Sequence, residues 1–342
     1  MNPAVAPLAE INPWLRAGPC TPVTCVEEAA SQARAARRAA RILAAALVLL
    51  AGVPVALALR RSSPSLRARA TRRWARLLLR ALGVAVEVTA QDDLAAPGRS
   101  PGGVGTLFVA NHVSWLDPLV MAATAASRPL AKREVGEWPV VRTLVSGSGA
   151  LFIDRERLSA LPAAVAAVAG ALRAGDGVVA FPEGTTWCGR GMGGFRPAVF
   201  QAAIDAGAPV RPAALRYREG TSPSTRGCYV GEDSLLASLL RVVATRRLTV
   251  EVVLFAPLAA PAPGVLRHRA RAALAGTAED LVRSHVTAAA SGSIRPPAEQ
   301  HDGRTDHAWR AAVAARVDGA PAHRARASAR PETSAAEPAQ QT

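Results

Sequence analysis

A histidine and an aspartate five positions apart form the pair in this sequence best suited to acid–base chemistry. His112 and Asp117 lie where an apolar, strand-like run gives way to a helical one. Neutral imidazole can take a proton from a hydroxyl near pH 7, so His112 is a candidate general base. Asp117 can fold back in a strand-to-helix turn, accept the other imidazole N–H and stabilise the imidazolium that forms. Taken alone, this spacing favours a capping or core role for the two side chains over a catalytic one.

A second polar turn follows another strand-like run. The segment from Val178 to Phe181 continues into a proline, Glu183, Gly184 and two threonines. Glycine lets the backbone approach a ligand closely, and such a turn exposes N–H groups that can hold an anion or a polarised carbonyl. Glu183 is a candidate for binding the hydroxyls of an acceptor substrate. The alternative is an ordinary carboxylate at a turn or at the start of a helix.

Four short blocks, in this order along the chain, resemble the glycerolipid acyltransferase family that contains 1-acylglycerol-3-phosphate O-acyltransferase. The first block is His112 with Asp117, and the second is the Gly-Ala-Leu-Phe-Ile-Asp-Arg stretch that ends at Arg155. The third is Phe-Pro-Glu-Gly-Thr at 181–185, and the fourth is Ala-Pro-Val-Arg-Pro at 208–212. Because several independent roles agree, the match is specific.

The resemblance implies the transfer of a fatty acyl group from a thioester donor to the hydroxyl of a lysolipid. His112 would be the general base and Asp117 would orient it, with direct attack of the hydroxyl on the thioester and no acyl-enzyme. No metal and no cofactor are expected; acyl-CoA or acyl-carrier protein would be the co-substrate. The expected acceptor-binding residues are Arg155, Glu183, Gly184, Thr185, Thr186 and Arg196.

Thr186 departs from the family pattern and leaves the acceptor open. Family members acting on lysophosphatidic acid commonly have an arginine there, and threonine cannot make a charged, bidentate phosphate contact. Arg155, Arg190 or Arg196 would have to replace it. We expect 1-acylglycerol-3-phosphate first and lyso-ornithine lipid next, because the Glu-Gly-Thr-Thr version resembles relatives that acylate the latter. A non-catalytic membrane adaptor is a further alternative, whereas no Gly-x-Ser-x-Gly elbow supports a lipid hydrolase.

An uncharged run from Ile42 to Leu59 predicts a membrane anchor. Its 18 residues would span about 27 Å as a helix, close to the ~30 Å hydrocarbon core. The alternatives are a cleaved signal peptide and a hairpin-like helix entering one leaflet. Arginines flank both ends, and the larger number downstream favours a cytoplasmic catalytic domain. The arginine-rich stretch after the run predicts either a helix in the headgroup layer or a helix packed on the domain.

Composition supports membrane lipids rather than nucleic acid as the partner. Half of the 342 residues are apolar, and the net charge is +15. Few aromatic residues accompany the arginines, and no nucleic-acid-binding motif is present. Four cysteines, Cys20, Cys25, Cys188 and Cys228, show no paired short spacings, which argues against a zinc site and a disulfide framework. A Cys20–Cys25 pair is expected only if the N-terminus faces an oxidising compartment.

These patterns predict an α/β fold in which a central mixed sheet is flanked by helices, with one N-terminal membrane helix. Strands are predicted at 84–88, 107–110, 151–153, 178–181, 210–215 and 248–254, and helices at 115–126, 158–174 and 197–206. The expected divisions are an irregular segment (1–33), the anchor with basic flanks (34–61), a basic amphipathic helix (62–82), the acyltransferase domain (83–288) and a disordered tail (289–342).

Overall fold

The computed structural model describes residues 18–29, 31–91, 103–132, 149–153, 158–260 and 267–290. Arg155 and the tail beyond residue 290 lie outside these ranges. The helices within them are α1 (Pro22–Cys25), α2 (Ala35–Ala58), α3 (Pro64–Leu82), α4 (Asp117–Thr124), α5 (Leu161–Arg173), α6 (Ala198–Ala206), α7 (Leu235–Ala244) and α8 (Arg267–Ala290). The strands are β1 (Val84–Ala90), β2 (Leu107–Ala110), β3 (Arg128–Lys132), β4 (Leu151–Ile153), β5 (Val178–Ala180), β6 (Val210–Glu219), β7 (Ser222–Pro223) and β8 (Leu248–Leu254).

These strands form one mixed sheet in the order β1-β8-β6-β2-β5-β3-β4, with β7 paired to β6. The β6–β8 and β6–β7 pairs are antiparallel, and every other pair is parallel. β2 and β5 lie at the centre and are buried along their whole length. Strands covered on both faces are expected to be continuous apolar runs, which is how both segments stand in the sequence. The predicted central mixed sheet flanked by helices is confirmed.

Strand β3 and helices α7 and α8 were not predicted. β3 begins with Arg128 and Pro129, which do not form an apolar run. In α7 the large side chains of Leu236 and Leu240 are exposed, 64 % and 47 %, so its apolar residues do not form one inward stripe. α8 carries many small and charged residues, and it packs against β6 and α6. Periodicity alone therefore gave little signal for these three elements.

Helix α2 carries the predicted anchor. Its length and composition are sufficient to cross a membrane, and only 11 % of its apolar window is buried. The exposed leucines include Leu43, Leu47 and Leu50, which are 63 %, 58 % and 64 % exposed. Pro54 lies inside the helix, where it removes one backbone N–H donor. The helix thus presents a broad apolar surface that no described part of the chain covers.

Arg41 fixes the first turns of α2 to the rest of the fold. Its Nη1 donates to the carbonyls of Val243 and Thr245 at 2.8 and 2.7 Å, and its Nη2 donates to Arg246 O at 3.1 Å. Gly83 ends α3 in the left-handed conformation, with φ of 79°. A Cβ at this glycine would lie 2.1 Å from the guanidinium carbon of Arg41, so only glycine leaves the space that the arginine occupies.

Helix α3 packs on the domain along one face and is exposed along another. Its Trp74 Nε1 donates to Val48 O of α2 at 3.1 Å, which joins the two helices as a hairpin. Leu66 and Leu77 remain 42 % and 52 % exposed. The buried face consists of Ala75, Leu78, Leu79 and Leu82. The packing alternative therefore describes the buried face, and the exposed arginines and leucines leave the headgroup alternative open as a prediction for the other face.

Candidate active site

The two polar turns meet at the carboxyl edge of the sheet. β2 and β5 are parallel neighbours, so the turns that follow them, with His112 and Glu183, lie side by side. The backbone N–H of His112 donates to Oε1 of Glu183 at 2.6 Å. Open α/β sheets bind ligands in the crevice outside the carboxyl ends of their strands. The sheet topology therefore places both candidate residues where such a fold normally binds its substrates.

The His112 and Asp117 side chains form the expected pair. Nδ1 of the imidazole lies 2.8 Å from Oδ2 of the carboxylate. Oδ2 also accepts the backbone N–H groups of Val113 at 2.6 Å and Ser114 at 2.8 Å. Because a carboxylate only accepts hydrogen bonds, the neutral ring carries its proton on Nδ1 and keeps the lone pair on Nε2. The free lone pair is the one that a general base requires.

The imidazole is held in place but remains accessible. Its ring stacks on Phe181, with the centroids 4.3 Å apart and the planes 17° from parallel. The His112 side chain is 15 % exposed, whereas Asp117 is fully buried. Asp117 also begins α4, where the helix dipole favours a negative charge. The arrangement thus shields the carboxylate completely and leaves the imidazole of His112 accessible from the crevice.

Tyr217 is a part of this site that the sequence did not reveal. Its hydroxyl donates to Oδ1 of Asp117 at 2.6 Å. Burial, together with the charge of Asp117, raises the pKa of the Tyr217 phenol well above its ordinary value, so the phenol stays protonated as a donor. Asn111 fixes the register of β6 on this side, since its amide exchanges hydrogen bonds with Leu215 at 3.0 and 2.8 Å. The sequence signal that could have pointed to Tyr217 is the alternation of side chains along β6, which places Tyr217 on the same face as Leu215.

Glu183 joins two loops instead of lying open to a ligand. Its side chain is buried, with 4 % of the residue exposed, and its second oxygen accepts the N–H of Gly193 at 2.6 Å. Burial raises the pKa of the Glu183 carboxyl to about 8, against the opposing effect of the Gly193 and His112 N–H groups. In this geometry Glu183 positions the His112 turn. A contact between Glu183 and the hydroxyls of an acceptor has less direct support.

Around Gly184, Arg196 is the arginine that borders the turn. Gly184 has a φ of 77°, a left-handed conformation that favours glycine, and a Cβ there would lie 3.3 Å from Nε of Arg196. Arg196 is exposed. In contrast, Arg190 forms an ion pair with Glu27. Of the arginines proposed to replace the missing contact, Arg196 therefore lies at the turn and Arg190 is held elsewhere.

The two threonines of the turn differ in their surroundings. Thr186 donates its hydroxyl to the carbonyl of Tyr229, so its side chain is committed to the protein. Thr185 is half-buried, and a Cβ at Gly18 would lie 3.6 Å from its methyl group. The structure therefore brings His112, Asp117 and Glu183 together, with Thr185 and Arg196 at the border of the turn. Arg155 lies outside the described residues.

Comparisons with known proteins identify similar acyltransferases. A family model described as Acyltransferase matches residues 85–216. The chain is 38 % identical over 189 residues to the 1-acyl-sn-glycerol-3-phosphate acyltransferase of Neisseria meningitidis, covering 55 % of this chain and 71 % of that protein. It is 35 % identical over 227 residues to the lyso-ornithine lipid O-acyltransferase of Pseudomonas aeruginosa, covering 64 % and 78 %.

A solved structure shares the fold. The 1-acyl-sn-glycerophosphate acyltransferase PlsC of Thermotoga maritima superposes with a TM-score of 0.53, covering 73 % of this chain and 93 % of that one. The sequence identity is 17 %, so this likeness concerns the fold.

Proposed function

The chain belongs to the acyltransferase family whose members include the 1-acyl-sn-glycerol-3-phosphate acyltransferases, and on that premise we propose a reaction and the residues that carry it out. The protein transfers a fatty acyl group from acyl-CoA or acyl-carrier protein to the hydroxyl of a membrane lysolipid. The observation that carries the proposal is the accessible imidazole of His112, whose Nδ1 is bound to the buried Asp117.

In this mechanism, Nε2 of His112 takes the proton of the acceptor hydroxyl as its oxygen attacks the thioester carbonyl carbon. Asp117 stabilises the imidazolium that forms. The tetrahedral intermediate collapses with cleavage of the carbon–sulfur bond, and the imidazolium returns the proton to the departing sulfur. No residue of the protein is acylated. Ser114 is fully buried, and its hydroxyl accepts the N–H of Leu116 at 3.2 Å, which fits a structural role.

A transfer assay with His112→Ala tests the mechanism. The assay offers one labelled acyl donor, either as CoA or as carrier-protein thioester, to a panel of lysolipids. We expect the variant to lose at least ~10²-fold in turnover on whichever acceptor the wild type uses, the usual minimum for a general base. The variant should keep the wild-type unfolding temperature, since the His112 side chain lies at the edge of the core. Near-normal turnover of a folded variant would overturn the proposed role of His112.

For the acceptor we propose 1-acylglycerol-3-phosphate, with Arg196 as a contact for its phosphate. Arg196→Ala should then raise KM for this acceptor by about 10-fold or more, since a hydrogen bond to a charged group contributes ~1.5–3 kcal/mol. Arg173→Ala is the matched control, because this exposed arginine ends α5 ahead of β5, at the edge of the sheet opposite to His112, and its KM should stay unchanged. Arg155→Ala belongs in the same series, since the resemblance gives that arginine the same role.

A lyso-ornithine lipid acceptor is the second candidate. The observation that favours it is Thr186, whose hydroxyl is bound to the Tyr229 carbonyl where phosphate-binding relatives carry an arginine. This acceptor has a cationic amine and no phosphate monoester, so Arg196→Ala should leave its KM unchanged or lower it. A wild type that is active on lyso-ornithine lipid and inactive on lysophosphatidic acid would replace the leading assignment.

A further inference from the structure

The chain has four cysteines, and three of them meet in the fold although Cys188 lies far from Cys20 and Cys25 in the sequence. The sulfur atoms of Cys20, Cys25 and Cys188 all lie within 4.8 Å of one another. Cys20 and Cys188 are buried, and Cys25 is half-buried. We infer that these three cysteines form a binding site for one thiophilic divalent cation, with Zn²⁺ as the best fit to an all-sulfur ligand set.

The ligands from the N-terminal segment are preorganised by a short helix. Cys20 precedes α1 and Cys25 ends it, so one helical turn separates them. Thr21 caps this turn, its hydroxyl oxygen accepting the N–H of Thr24 at 3.2 Å, and Pro22 occupies the first helical position. Both features favour the helix without a metal. The two thiols are therefore brought to one place by local structure rather than by an ion.

The third ligand comes from the loop that follows the Gly184 turn. Trp187, the residue before Cys188, donates its N–H to the carbonyl of His112 at 2.8 Å. This bond fixes the loop against the catalytic turn and so fixes where Cys188 enters the cluster. Three sulfurs within 4.8 Å need only small rotamer changes to reach the ~2.3 Å zinc–sulfur distance.

The N-terminal segment is also tied to the domain beyond α1. The N–H of Glu27 donates to Oγ1 of Thr225 at 2.9 Å, and Arg226 Nη1 donates to the carbonyl of Glu27 at 3.2 Å. The Glu27 carboxylate forms the ion pair with Arg190. These contacts hold the segment on the loops that surround Cys188, so the ligand set does not depend on a freely moving tail.

Without a cation the buried Cys20 thiol is uncharged. Burial raises the pKa of the Cys20 thiol to about 12. A bound cation ionises its thiol ligands and releases their protons, which offsets the cost of burying them. Cys228 is buried nearby, where burial likewise raises its pKa to about 12. Its sulfur is not one of the three that lie within 4.8 Å of one another, so we place it outside the ligand set.

The cation would tie the N-terminal segment to the turn assigned to the acceptor. Gly18, at the start of the described segment, lies against this turn: a Cβ there would be 3.2 Å from the carbonyl oxygen of Thr186. Occupancy of the cysteine site therefore stabilises one wall of the proposed acceptor region. This consequence rests on the proposed function, whereas cation binding itself does not.

Metal analysis of the purified full chain tests the site directly. The detergent-solubilised protein is reduced, loaded with Zn²⁺, washed with a weak chelator and assayed for metal by mass spectrometry. We expect about one zinc per chain in the wild type and a loss of at least tenfold in occupancy in Cys25→Ser and Cys188→Ser. Cys228→Ala is the matched control and should retain the metal. Loss of zinc in that control would overturn the three-cysteine assignment.

Cobalt loading gives a readout that needs no variant. Co²⁺ bound by thiolates has intense sulfur-to-metal charge-transfer absorption, which we expect in the wild type and not in Cys25→Ser. Cys25 is half-buried, so the serine is expected to fold, and circular dichroism of the metal-free proteins checks this. A wild type that shows neither cobalt absorption nor retained zinc would refute the site.

Disulfide formation is the competing outcome. Thiol titration in denaturant with a strong chelator and no reductant, on protein purified without reductant, should detect all four cysteines if the cluster binds a metal. Detection of two thiols, with recovery of the other two after reduction, would show a disulfide and overturn the proposal. Both outcomes are independent of transfer activity, so a failed acyltransferase assignment would leave them unaffected.

Discussion

At the residue scale, the candidate site is organised around one buried carboxylate. Asp117 accepts hydrogen bonds from the His112 ring, two backbone N–H groups and the Tyr217 hydroxyl. A buried carboxylate without hydrogen-bond partners is very unfavourable, so these four donors offset the cost of burying Asp117 beside His112. The His112–Asp117 pair therefore depends on a residue of β6 that is remote in the sequence.

Tyr217→Phe should lower the turnover number by about tenfold and leave KM nearly unchanged. The ring still fills its place in the core, and one charge-assisted hydrogen bond of ~1.5–3 kcal/mol is lost from Asp117. Steady-state kinetics on the acceptor that the wild type uses measures both values. Tyr229→Phe changes the only other tyrosine of the chain and should behave as wild type. Equal turnover of Tyr217→Phe and wild type would show that the Tyr217 hydroxyl does not support the pair.

At the element scale, the carboxyl ends of β2 and β5 are joined through Glu183. One of its oxygens accepts from His112 in the first turn and the other from Gly193 in a third segment. By accepting hydrogen bonds from both His112 and Gly193, the Glu183 side chain fixes the separation of these segments. The distance between His112 and the Gly184 turn depends on it. The burial that holds Glu183 in place also raises the pKa of its carboxyl, to about 8.

The titration of Glu183 should appear in the stability of the protein. The ordinary pKa of this carboxyl is 4.5, and in the folded protein it is about 8. The folded state therefore binds the proton more tightly, and the free energy of unfolding should fall as pH rises from about 4.5 to about 8. Glu183→Gln cannot titrate and should lack this part of the pH dependence. Thermal unfolding at several pH values measures the difference, with the exposed Glu232 changed to Gln as control. Parallel pH curves for wild type and Glu183→Gln would contradict the prediction.

The sequence predicted most of the sheet and the contact between His112 and Asp117, for a physical reason. His112 and Asp117 interact through a local turn, and strands such as β2 and β5 are continuous apolar runs. Tyr217 and the Cys20–Cys25–Cys188 cluster depend on contacts between segments far apart in the chain. A cysteine pattern is recognised from short spacings, and Cys188 shares none with the other two. The burial of Glu183 likewise depends on packing between distant segments, and its contact with an acceptor stays a prediction.

At the scale of the whole molecule, we propose that the exposed apolar surface of α2 lies in the membrane with the catalytic domain on the cytoplasmic side. The full chain should then stay with membranes after a high-salt wash. The combined substitutions Leu43→Glu, Leu47→Glu and Leu50→Glu should release the chain, because charged groups are costly in hydrocarbon. These three leucine side chains make little contact with the rest of the protein, so the variant should still fold. Val88→Glu adds a charge at another exposed apolar side chain, and that control should stay bound. Recovery of the wild-type chain in the soluble fraction would refute the anchor.

With α2 placed in the membrane as proposed, the guanidinium of Arg41 would set a fixed height for the proposed catalytic site above the bilayer centre. It locks the first turns of α2 to the carbonyls that end α7, in the space left by Gly83. An anchor on a flexible linker adjusts to a thinner membrane by tilting alone. Here a tilt of α2 turns the whole domain with it, so hydrophobic mismatch changes the orientation of the His112 crevice towards the lipid surface. Bilayer thickness should therefore affect the rate at which a lysolipid headgroup reaches His112.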